Sequence, residues 1–95
     1  GEPVSAIFDG HIIFSDWLRG QGLIIVIDHG EGWLSLYAQN HSLLRGEGEF
    51  VRQGDIIAKV GASGGNERTG LYFEIRQQGD PVNPADWIQR SAPRR

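Results

Sequence analysis

Apolar and non-apolar residues alternate without a break along "GLYFEIRQQG", Gly70 to Gly79. Leu71, Phe73 and Ile75 fall on one side of the pattern, and Tyr72, Glu74 and Arg76 on the other. A period of two predicts a strand with one core face and one accessible face. Similar runs, separated by turns, fill much of the chain. Val4 to Phe8 predicts a short strand, and His11 to Leu18 a second after the turn at Asp9-Gly10. Leu23 to Ile27 is continuously apolar, so Leu23 to His29 is expected to be a central strand covered on both faces. "RGQG", Arg19 to Gly22, predicts a hairpin tip between these two strands. Gly20 and Gly22 supply positive φ there, and Gln21 is left projecting.

Gly30-Glu31-Gly32 marks another turn and Trp33 to Ala38 another strand. Its alternation puts Leu34 and Leu36 on one face and Trp33, Ser35 and Tyr37 on the other, so Tyr37 is expected to have non-core neighbours. "QNHSLLRGEGEF" has too little periodicity for a strand and is too short for a stable helix, which predicts a turn and an irregular loop. A turn at Gln53-Gly54-Asp55 leads into a strand from Ile56 to Val60, and "GASGGNERTG" connects that strand to the alternating run. In "DPVNPADWIQR", Asn83 as N-cap and Pro84 at a first helical position predict a short C-terminal helical turn, with Trp87 packing back. Ser91 to Arg95 reads as a frayed tail.

These elements make an all-β domain, a small antiparallel β-sheet over residues 1–90 with a tail at 91–95. The 14 glycines, about twice average usage, agree with many strands joined by tight turns. The chain enters a strand almost at once, so part of the domain is expected to lie upstream of Gly1. Three of the nine basic residues, Arg90, Arg94 and Arg95, sit at the C-terminus. The body is therefore acidic, and no nucleic-acid partner is expected. With no cysteine, disulfides, thiolate metal sites and thiol chemistry are excluded. No apolar run approaches the ~20 residues of a transmembrane segment.

The candidate chemistry is sparse. His11, His29 and His41 are far apart in sequence, with no pair spaced to offer two metal ligands from one element, so each reads as an ordinary strand-end or loop histidine. Glu74 stands two positions from Arg76 on one strand face. The guanidinium keeps the carboxylate ionised, which favours an ion pair over acid–base catalysis. "GASGGNERTG" lacks a P-loop lysine and leads into a strand, so no helix N-terminus is present to hold a phosphate. "VRQGDIIAKV" has the shape of a biotinyl or lipoyl carrier turn, but Lys59, the chain's one lysine, lies inside a strand rather than at a tip.

Taken in order, "PVSAIFDGHIIF", "GQGLIIVIDHGEGWLSLYA", "VRQGDIIAKVGASGG" and "LYFEIRQQGDPVNP" resemble the LytM or lysostaphin-type zinc peptidases, which cut peptidoglycan cross-links. The resemblance implies the duplicated-hybrid-motif type of β-fold. It also implies a zinc site built from an upstream His-x-x-x-Asp and the second histidine of a His-x-His, with a catalytic histidine after a Tyr-x pair. Here the His-x-His positions are Gly70 and Tyr72, and Gln39 stands in the Tyr-x-His position. A phenol is a poor zinc ligand at neutral pH, and an amide exchanges no proton, so neither metal nor catalysis is expected.

Leu-Tyr-Phe-Glu-Ile-Arg with Ser-Gly-Gly upstream is similar to the EnvC-type murein hydrolase activators. That resemblance implies a periplasmic, non-catalytic domain without cofactor, which switches on N-acetylmuramoyl-L-alanine amidases during cell division. The residues expected to form its partner-binding groove are Gln21, Tyr37, Gln39, Tyr72 and Arg76. A peptidoglycan-binding module and a residual zinc peptidase are the alternatives.

Overall fold

The computed structural model describes residues 2–61, 71–78 and 80–82. The glycine loop, the C-terminal helical turn with Trp87 and the tail lie outside the described residues. Among those described there are only strands and turns: β1 (Pro3–Ser5), β2 (Gly10–Leu18), β3 (Gly22–Gly30), β4 (Trp33–Leu43), β5 (Phe50–Val51), β6 (Ile56–Val60), β7 (Tyr72–Gln77) and β8 (Asp80–Val82). They form one antiparallel sheet in the order β1-β6-β4-β3-β2-β5, with β7 on β4 and β8 on β7. The all-β antiparallel class is thus observed.

The β2–β3 hairpin closes as its sequence predicts, with Gly20 and Gly22 at φ 84° and 73° and the Gln21 N–H donating to the Leu18 carbonyl. β3, the continuous apolar run, lies between β2 and β4. Its Ile24, Ile25 and Ile27 are all buried, as a strand covered on both faces requires.

β4 departs from expectation. Gln39 to Leu43, read as a turn and the start of a loop, continues the strand to a length of 11 residues. Gln39 takes φ 63°, a left-handed conformation that bends the strand without ending it. The Asn40 side-chain amide secures the bend, donating to the Tyr37 carbonyl at 2.8 Å and the Leu23 carbonyl at 3.0 Å. One edge of β4 is shared as a result. Residues 33–38 pair with β7, and residues 40–43 pair with β6. At the second junction Gly61 passes so close to His41 that an added Cβ would lie 2.7 Å from the His41 Cα.

Directly opposed residues of an antiparallel pair share a face. The register therefore defines two rows on one side of the sheet, Ile12–Ile27–Ser35–Ile75 and Ser15–Ile25–Tyr37–Phe73. With Val4, Ala6, Val51, Ile57 and Ala58 from β1, β5, β6 and the segments beside them, most of these residues form the core. β5 and β8 were not expected. They are two and three residues long, too short to show a period, and exist through pairing with β2 and β7.

Candidate functional site: the outer face of the sheet

The opposite face carries three rows read from the same register. Phe14–Val26–Leu36–Glu74 and His11–Asp28–Leu34–Arg76 cross four strands, while Ala38–Tyr72 lies at the bend of β4. Phe14, Val26, Leu34 and Leu36 are half-buried, giving an apolar floor, and Tyr72 is 43% exposed at its end. Arg76 donates from Nε to Glu74 Oε1 at 3.1 Å, the ion pair expected from their spacing. On an extended strand Tyr72 and Arg76 stand roughly 13 Å apart, on one side.

Of the five residues singled out in the sequence, the structure brings Gln21 and Gln39 together: the Gln39 N–H donates to the Gln21 carbonyl at 3.0 Å, tying the hairpin tip to the bend. Ala38, next to Gln39, is paired with Tyr72, so these three residues cluster at one end of the face while Arg76 stands along it. Tyr37 does not belong with them. It opposes Phe73, is 1% exposed, and packs in the core with the two rings 5.3 Å apart between centroids. The expected faces of β4 are inverted. Leu34 and Leu36 line the outer face, whereas Ser35 and Tyr37 are buried because the interior satisfies their hydroxyls.

That satisfaction comes from a polar chain that sequence reasoning missed. The Ile7 N–H donates to the Tyr37 hydroxyl at 3.1 Å, and Tyr37 and Ser35 share a hydrogen bond of 2.8 Å. Ser35 Oγ is 2.7 Å from His29 Nε2, and His29 Nδ1 is 2.7 Å from the Asp9 carbonyl. Asp9 accepts only, so Nδ1 carries the proton and Nε2 accepts from Ser35. Burial lowers the His29 pKa below 6.5, outweighing the Asp9 carbonyl and the charges of Asp28 and Asp9. Burial also raises the Tyr37 phenol above 10.0, against its hydrogen bonds with Ser35 and the Ile7 N–H. A serine beside a neutral histidine has the outline of a nucleophile and its base, but Ser35 is 0% exposed and no substrate reaches it. One signal was legible: Ile25, Ile27 and His29 share strand parity, so His29 points to the core side.

Among the described residues no group of three or more His, Cys, Asp or Glu side chains is placed to hold a metal ion. Among the described residues, the Tyr72 phenol and the Gln39 amide are the side chains that the resemblance aligns with the metal and catalytic positions. Neither suits zinc as a ligand at neutral pH, so this pair does not fit that metal.

Comparison with known proteins fits this geometry. The model of Peptidase family M23 matches residues 1–84. The chain belongs to the M23 family. The murein hydrolase activator EnvC of Escherichia coli (strain K12) is 53% identical over 90 residues, which are 95% of this chain and 22% of that protein. The murein hydrolase activator NlpD of the same strain is 38% identical over 89 residues, 93% of this chain and 23% of that protein. This M23 domain thus spans under a quarter of the length of these relatives. Among solved structures, a putative peptidase M23 from Pseudomonas aeruginosa superposes with a TM-score of 0.88 at 26% identity, covering 93% of this chain and 39% of that one. The catalytic domain of lysostaphin from Staphylococcus simulans superposes at 0.84 with 24% identity, covering 94% and 71%, a likeness of fold.

Proposed function

We propose that this M23 domain is a non-catalytic activator of periplasmic N-acetylmuramoyl-L-alanine amidases, promoting peptidoglycan hydrolysis and daughter-cell separation. The observation that carries the reading is the pair Tyr72 and Gln39. The resemblance to the zinc peptidases aligns them with a zinc-ligand histidine and a catalytic histidine, and the Ala38–Tyr72 pairing puts them at one end of an accessible, partly apolar face. A face with an aromatic at one end and a guanidinium further along suits a protein partner, because tyrosine and arginine are enriched at interface hot spots. In this reading the amidase lays a segment along β4 and β7, with Tyr72 as its anchor, Arg76 its polar contact, and Gln21 and Gln39 at the rim.

Tyr72 is exposed and outside the core, so Tyr72→Ala is expected to leave unfolding unchanged while lowering amidase affinity at least tenfold, about 1.4 kcal/mol or more. Arg76→Ala is expected to weaken it in the same direction. The assay is dye release from labelled sacculi by purified amidase, with the activator titrated. Normal stimulation by both variants would refute the reading, and cleavage of sacculi by the domain alone would favour a peptidase instead.

A further inference from the structure

We propose that the hydrogen-bonded chain from Ile7 through Tyr37, Ser35 and His29 to Asp9 is a proton-controlled latch, which seats the β1–β2 connection on the sheet when His29 is neutral and loosens its Ile7 end when His29 is protonated. The geometry allows one polarity for the neutral state: the Ile7 N–H donates to Tyr37, Tyr37 to Ser35, Ser35 to His29 Nε2, and His29 Nδ1–H to the Asp9 carbonyl. Each hydroxyl then gives its one proton and receives another. Adding a proton at Nε2 turns that nitrogen into a donor. Ser35 must accept from it, so the Ser35 proton turns towards Tyr37, where it competes with the Ile7 N–H for the phenol oxygen, and the Tyr37 O–H loses its acceptor inside the core.

Both ends of the chain hold the same segment. Ile7 and Asp9 belong to the stretch between β1 and β2, while His29, Ser35 and Tyr37 sit on β3 and β4. That stretch also holds the β5–β6 turn. Asp9 Oδ1 accepts from the Gln53 N–H at 2.7 Å, the Ala6 N–H donates to the Asp55 carbonyl at 2.8 Å, and the Gly54 N–H donates to the Ala6 carbonyl at 2.9 Å. Loosening Ile7 therefore acts on the neighbouring Ala6 contacts with that turn, while Asp9 stays held by His29 and the Gln53 N–H. The titratable groups around His29 are Asp9 from the connection itself, His11 on β2, Asp28 on β3 and Tyr37 on β4. The two carboxylates favour the imidazolium and burial opposes it, with burial the larger effect. The latch is closed at neutral pH on that balance. It acts behind the sheet and depends on no partner of the outer face.

The test is NMR on the intact protein, following the His29 ring and the Ile7 amide from pH 7.5 downwards, with the distant His41 as an internal reference. The expected result is a fall of about tenfold or more in Ile7 protection, relative to its intrinsic exchange rate, over the acid interval in which His29 titrates. A second variant, Ser35→Ala, cuts His29 from Tyr37 and keeps the Asp9 contact. Its Ile7 protection is expected to lose any dependence on His29 titration. Constant Ile7 protection while His29 titrates in the wild type would overturn the proposal, and so would an unchanged coupling in Ser35→Ala. Should that variant not fold, the two wild-type curves decide the matter alone.

Discussion

Tyr37→Phe separates the two readings of Tyr37 most sharply, because it removes one oxygen and keeps the ring. If Tyr37 lined an accessible groove, water would replace its hydroxyl contacts at almost no loss of stability. In the structure the hydroxyl accepts from the Ile7 N–H at 3.1 Å and bonds Ser35 Oγ at 2.8 Å within the core. Loss of the Ser35 bond removes a neutral hydrogen bond, worth about 1 kcal/mol, and Ser35 keeps His29 as its acceptor. The Ile7 N–H has no hydroxyl left to donate to. Leaving a buried donor unmet costs about 1–3 kcal/mol, and the lower end applies because Ile7 is half-buried. Packing against Phe73 is retained, so no cavity contribution enters.

The sum is roughly 2 kcal/mol of destabilisation, read as a lower urea midpoint at unchanged m-value, with tryptophan fluorescence and far-UV circular dichroism as independent probes. The sign is fixed by the unmet Ile7 donor. A Tyr37→Phe variant within about 0.5 kcal/mol of wild type would refute the polar chain as a stabilising element. A changed m-value would show instead that the compactness of one of the two states had altered.

Three other outcomes follow from the same contacts. Asn40→Asp keeps the shape but loses both donated bonds, to Leu23 and Tyr37, and places a carboxylate at a site with 0% exposure. About 3 kcal/mol of destabilisation is expected at pH 7, shrinking towards pH 4 as the buried acid takes up a proton, checked by urea unfolding against wild type at each pH. Gly61→Ala drives a methyl into the His41 Cβ and to 2.7 Å from its Cα. Backbone cannot give way as a side-chain tip can, so about 3 kcal/mol is expected, with amide shifts in NMR concentrated at the β4–β6 junction. His29 contributes a pH dependence of its own: its folded pKa lies below the unfolded 6.5, so the unfolded state binds the proton first. Stability is then complete above pH 6.5 and falls as the pH drops from there towards the folded pKa, and a urea midpoint independent of pH across that acid range would contradict it.

The β2–β3 hairpin, the central position of β3 and the parity of β7 were legible; the apolar pattern follows the pattern of burial in β3 and at Phe73 and Ile75, whereas Leu71, expected on the core side, is 37% exposed. In β4 the two patterns diverge. Leucines 34 and 36 look like core and line the outer face, while Ser35 and Tyr37 look like surface and are buried, because His29 and the Ile7 N–H complete their hydrogen bonds. Those partners lie up to 30 residues away in the chain, and no local period encodes them. The bend at Gln39 was hidden for a similar reason. Its φ of 63° is sustained by Asn40 and by the hairpin tip at Gln21, neither of which marks a turn when read alone. Of the site, the parity of Tyr72 and Arg76 was legible, and the meeting of Gln21 with Gln39 was not.

Placing the two tyrosines on opposite sides of one sheet also makes fold and partner binding separable. Tyr37 touches Phe73, and the next residue, Tyr72, faces the other way, so a change at one reaches the other only by moving the β7 backbone. Under the proposed activator function, conservative changes behind the sheet should therefore shift the urea midpoint and leave amidase stimulation intact wherever the variant is still folded. Changes on the outer face should do the reverse. Tyr37→Phe and Tyr72→Ala, measured in both assays, form the decisive pair. If Tyr37→Phe abolished stimulation while more than nine-tenths of it remained folded, the outer face would not be acting alone, and the core chain would belong to the binding mechanism.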